Sequence, residues 1–120
     1  LVYYAKIDAQ PVSVGVVEQT VIAPTPTRGE DLLLVVVENR SATETFTGVM
    51  YNSPNGSTQW NAETSDEFVD IAPLKTRRYL VQPDRIYARL LGNFVGAPGS
   101  VRVSVFVLPG PKMWTPLGAG

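Results

Sequence analysis

Apolar and polar positions alternate with a period of two along most of this chain, the spacing that turns one side of a strand to a core and the other to water. "LVYYAKI" and "PVSVGVVEQTVIA" are rich in β-branched and aromatic residues, with Val12, Val14 and Val16 on one face. "APTPTRGED" (23–31) then interrupts the pattern with two prolines and a glycine. "DLLLVVVEN" is continuously apolar, which predicts a strand buried on both faces. "ETFTGVMYN" alternates again, and "SPNGS" (53–57) predicts a turn, because Asn and Gly tolerate the positive φ of tight reversals.

Further along, "STQWNAETSDEFVDIAP" starts polar and predicts a short strand around Phe68, Val69 and Ile71. In "KTRRYLVQP", Tyr79 and Val81 alternate against Arg78 and Leu80. "RIYARLLGNF" and "GSVRVSVFVL" predict a hairpin turned by "GNFVGAPG", with Ile86, Ala88 and Leu90 on one face and Val101, Val103, Val105 and Val107 on another. No stretch carries a sustained 3.6-residue apolar repeat, so any helix is expected to be a single turn within 58–67.

Seven to eight short strands separated by turn signals predict an all-β fold, an antiparallel β-sandwich of immunoglobulin-like or jelly-roll topology. Local patterning does not choose between these, because the crossovers of a Greek key leave no local signature. The expected organisation is an N-terminal strand or arm (1–10), a sandwich domain (11–108) and an extended C-terminal tail (109–120). Pro and Gly keep that tail, "PGPKMWTPLGAG", from extending a sheet, yet Met113, Trp114 and Leu117 make it apolar.

Composition narrows the function. A chain of 120 residues fits one core, and 44% hydrophobic with 18% charged residues suits a folded domain. Histidine and cysteine are both absent, which removes the usual general base, the thiolate and imidazole metal ligands, disulfides, and every Ser-His or Cys-His nucleophile. No catalytic, cofactor or metal residue is therefore expected, and the chain reads as a non-enzyme. A net charge of −1 argues against a nucleic-acid partner. The longest apolar run, "LLLVVV", is far short of the roughly 18 residues of a membrane helix, so no membrane association is expected. The chain begins at Leu1 without Met, which points to processing or trimming, and no signal-peptide pattern is present.

Three groups of residues are candidates for contact with a partner. Arg85, Tyr87 and Arg89 share a strand face, and the expected hairpin sets Arg102 opposite them, making a patch suited to a neighbour's carboxylates, or alternatively an outer face that charge keeps soluble. Tyr3 and Tyr4 at one end, and Met113 and Trp114 at the other, supply apolar area for arms that order on binding. As an alternative, Tyr51, Asn52, Gln59, Trp60 and Asn61 place aromatics among amides, as on a sugar-binding or adhesin surface, or equally as a cover for the end of a core. Glu63, Asp66, Glu67 and Asp70 do not match a calcium loop and read as a solvated segment. The sequons at Asn39 and Asn55 are short enough to arise by chance.

"LLLVVVENRSATETFTGVMYN", "RRYLVQP" and "RIYARLLGNFVGAPGSVRVSVFVLPG" together resemble the small β-sandwich virion proteins of tailed bacteriophages, the capsid decoration or cement proteins and related head and tail accessories. The resemblance covers 31–108 and transfers no individual functional residue. It implies a structural protein located in the virion, a homo-oligomer that binds the major capsid protein or other virion subunits and stabilises the lattice through intersubunit contacts and terminal arms. A carbohydrate-binding module and an accessory domain of a larger enzyme are the competing expectations.

Overall fold

The computed structural model describes residues 4–26, 32–63, 66–81 and 87–108. Eight strands follow one another: β1 (Tyr4–Val14), β2 (Gln19–Pro26), β3 (Leu32–Asn39), β4 (Thr45–Ser53), β5 (Asn61–Ala62), β6 (Thr76–Val81), β7 (Tyr87–Val95) and β8 (Gly99–Leu108). They form two antiparallel four-stranded sheets of order β1-β8-β3-β6 and β2-β7-β4-β5. The first strand pairs with the last, the second with the seventh, the third with the sixth and the fourth with the fifth. Such nesting is what a long hairpin wrapped across two sheets produces, and it selects the jelly roll from the two topologies left open above.

Strict alternation builds the core. Leu33, Val35 and Val37 on β3 and Val101, Val103, Val105 and Val107 on β8 face the sandwich interior, opposite Phe46 and Met50 on β4 and Ala88, Leu90 and Phe94 on β7. Each fully buried Val or Leu contributes about 1.5–3 kcal/mol. Phe68 and Ile71 close the open side between β5 and β6. There the chain leaves regular structure but keeps bonding the β4 edge: Ile71 and Phe46 exchange both backbone bonds, at 2.7 and 3.1 Å, and Gly48 N donates to Phe68 O. The β4 edge is thus covered without a long fifth strand.

Three local expectations change. β3 fully buries one face, not two: Leu33, Val35 and Val37 are sealed in the core, whereas Leu32, Leu34 and Val36 on the outer face are half-buried. Around Phe68 the chain makes a turn, with Val69 N bonded to Asp66 O, and only Ile71 bridges to Phe46. β7 and β8 are not a hairpin. Across 96–98 the chain passes from one sheet to the other, Gly96 taking a φ of +102°, and β8 pairs with β1 and β3 while β7 pairs with β2 and β4. Among the described residues there is no helix, and Asn61–Ala62, within the stretch where a helical turn is expected, form the short β5.

Asn39 ends β3 wholly buried. Its Nδ2 donates to Glu44 O (2.8 Å) and Ile71 O (3.0 Å), and its Oδ1 accepts from Ser41 N (2.9 Å). This sequon asparagine is a structural tie, closed to modification in the folded chain.

Candidate functional site

The turn after β4 positions the aromatic cluster. Ser53 Oγ is sealed beneath it, donates to Thr58 O and accepts from Gly56 N (3.0 Å), while Asn55 Oδ1 accepts from Ser57 N (3.0 Å) and Thr58 N (2.9 Å). Gly56 is required at its place: its φ is +78°, and a Cβ there would stand 2.9 Å from the Tyr87 ring. Gln59, with a φ of +59°, then turns the chain back over the sheet and delivers Trp60 to its outer face.

Trp60 meets Arg89 there. The guanidinium carbon lies 4.1 Å from the Trp60 ring centroid and 5.6 Å from that of Tyr51, which is the direct cross-strand neighbour of Arg89 on β4. A cation–π pair at this distance contributes about 0.5–2 kcal/mol and restrains the side chain. Nε of Arg89 is sealed from solvent and donates to no acceptor.

The structure therefore regroups the residues singled out above. Tyr51 and Trp60 join Arg89 and Tyr87, whereas Asn52 turns inward, donating from Nδ2 to Glu63 Oε2 (2.6 Å). Tyr79 OH donates to Glu63 Oε1 (3.0 Å), so this carboxylate ties β4 of one sheet to β6 of the other. Gln59 and Asn61 are exposed. Arg102 does not face Arg89: it belongs to the other sheet, beside Glu38 at 3.9 Å, an exposed pair worth at most about 1 kcal/mol. The patch of three arginines and Tyr87 is not formed, because it depended on pairing β7 with β8. Tyr4 opens β1 opposite Val107. Tyr3, Arg85, Met113 and Trp114 lie outside the described residues. Among the described residues no cluster of three acidic side chains is arranged to hold a metal ion.

A second surface, which pattern reading missed, lies on the outside of the β1-β8-β3-β6 sheet. Ala5, Phe106, Leu34 and Leu80 stand in register across all four strands, with Leu80 45% exposed. Leu34, Arg78, Leu80 and Glu67 border an open groove of about 370 Å³ beside it. The signal was present in the unbroken "LLLVVV", which makes the outer face of β3 as apolar as the inner one.

No family model matches the chain, and no curated protein does. Solved structures do match. One is the VP2 subviral particle of infectious bursal disease virus, at 13% identity over 91% of this chain and 32% of that one, with a TM-score of 0.45. Another is the structure of the Gx strain of the same virus, at 12% identity over 92% of this chain and 33% of that one, with a TM-score of 0.50. What is shared is the fold. The chain spans about a third of the chains it matches, and a single β-sandwich accounts for that third.

Proposed function

We propose that this chain is a non-enzymatic structural protein of a virion, a decoration or cement module that joins neighbouring capsid subunits. The observation that carries the reading is the match of the eight-stranded sandwich, over 92% of its length, to the structure of a virus. Because one fold serves many functions, the likeness alone assigns none. Two further features support the reading. The chain lacks the histidine and cysteine on which most hydrolytic chemistry rests, and it presents two outward surfaces, one apolar and one aromatic, on opposite sheets of a sandwich with one shared core. Lattice contacts need a rigid module with such patches and with arms, for which 1–3 and 109–120 are the candidates.

Co-sedimentation of the purified chain with capsid shells of its own virus tests the reading. Wild type is expected to pellet with shells in a fixed stoichiometry, and deletion of 112–120 to weaken that association at least tenfold. A chain that stays in the supernatant overturns the virion assignment, and an undiminished deletion variant removes the tail from the mechanism.

A further inference from the structure

The four strands of the β2-β7-β4-β5 sheet read "QTVIAPTP", "YARLLGNFV", "TFTGVMYNS" and "NA" and contain one charged residue, Arg89. Alternation turns it outward with Tyr87, Leu91, Val49 and Tyr51, all half-buried, and Trp60 lies against it. Among the described residues no carboxylate pairs with it and no acceptor bonds it. Of its three nitrogens only Nε is sealed. The two terminal amino groups are not sealed and form a fork beside two rings, whose centroids lie 4.1 and 5.6 Å from the guanidinium carbon.

We infer that this fork receives the carboxylate of one glutamate or aspartate on an extended, otherwise uncharged segment of a protein partner. A guanidinium already restrained by two aromatic rings loses little further freedom on binding, and its two terminal amino groups match a carboxylate edge. Arg, Trp and Tyr at the centre of an uncharged surface are the residues that dominate protein interfaces. One cation on the whole sheet fits one anion. Phosphate backbones are held by several cations together, and a neutral sugar leaves the charge unmatched. The inference rests on reading the chain as a subunit that meets neighbours, but its test needs no particle, so failure to bind shells and failure to bind a carboxylate are separate results.

The probe is a fluorescein-labelled, capped heptapeptide of alternating valine and threonine with one central glutamate, measured by anisotropy against the full chain, beside its glutamine counterpart. Saturable binding is expected, at least tenfold weaker for the glutamine peptide, and Arg89→Gln is expected to bind both peptides equally. Arg89→Lys, which keeps the charge without the fork, is expected to lose at least fivefold and serves if Arg89→Gln does not fold, as checked by circular dichroism. Absence of saturation up to about 1 mM overturns the inference. So does an Arg89→Gln variant that still prefers glutamate, or tighter binding of a thymidine oligonucleotide or a neutral hexasaccharide than of the peptide.

Discussion

Gly92→Ala is the sharpest test of the core. Gly92 on β7 and Gly48 on β4 are direct cross-strand partners, both buried, and the Phe46 ring fills the space their missing side chains leave. A Cβ on Gly92 would stand 2.5 Å from Phe46 Cζ and 2.8 Å from Thr47 O. Neither neighbour yields easily: the oxygen is backbone, and the ring is fully buried and set edge-on to Phe94 at 5.4 Å and 69°. Gly92 does not have a positive φ, so backbone conformation adds nothing to the penalty. With free space, Ala in a strand would gain about 0.5–1 kcal/mol over Gly. Overpacking costs about 1–3 kcal/mol, and a clash on backbone belongs at the upper end, which leaves a net loss of about 2 kcal/mol. At about 2.1 cal/mol/K per residue, 120 residues convert this to a fall of about 8 °C in Tm. Thermal melting followed by circular dichroism reads it. The control is Gly15→Ala, whose Cβ meets nothing nearer than 3.7 Å and which is expected within about 0.5 kcal/mol of wild type. Adding Phe46→Leu should recover at least about 1 kcal/mol of the Gly92→Ala loss as coupling. A Gly92→Ala variant that melts at or above wild type refutes the steric reasoning, as does a Gly15→Ala variant that falls equally far.

Two further substitutions probe polar ties. Asn39→Ala removes the donor to Glu44 O and Ile71 O and the acceptor for Ser41 N, and is expected to lower stability by about 2–3 kcal/mol in urea unfolding; a loss below about 0.5 kcal/mol contradicts the assignment. Tyr79→Phe keeps the ring edge-on to Phe68 at 6.4 Å but removes the hydroxyl that reaches Glu63, with an expected loss of about 1 kcal/mol in the same assay, and no change would mean that this inter-sheet bond contributes nothing net.

What pattern could read, and where it stopped, follows from the range of the interactions. Strands β3, β4, β7 and β8 were legible because their alternation is set by the core each one faces, a property of single residues. The turn at 53–57 was legible because Asn55 and Gly56 supply their own local bonds and φ. The pairing of β8 was not legible. Val101, Val103, Val105 and Val107 would face a core equally well beside β7 or in the opposite sheet, and the strand that decides, β1, lies at the other end of the chain. The same limit applied to the site. Tyr51 and Trp60 are near in sequence, but Arg89 joins them only through the β4–β7 register, so the residues of two separate candidate groups proved to be one cluster. The Glu63 tie was hidden in a run of acids whose members differ only in where the fold puts them.

The nesting of the strands also sets a timetable. Tyr4 pairs with Val107, so β1 is made about 100 residues ahead of the strand it pairs with, roughly 5–20 s earlier at ordinary elongation rates. During that wait β4 and β5 can already close on each other, while β1 remains an unpaired ribbon whose complementary strand exists only in copies already completed. Newly made chains at high local concentration therefore have a route to exchange β1, with the same register and the same bonds as in the monomer. How often copies of the chain interlock in this way is then decided by how crowded they are while they are being synthesised.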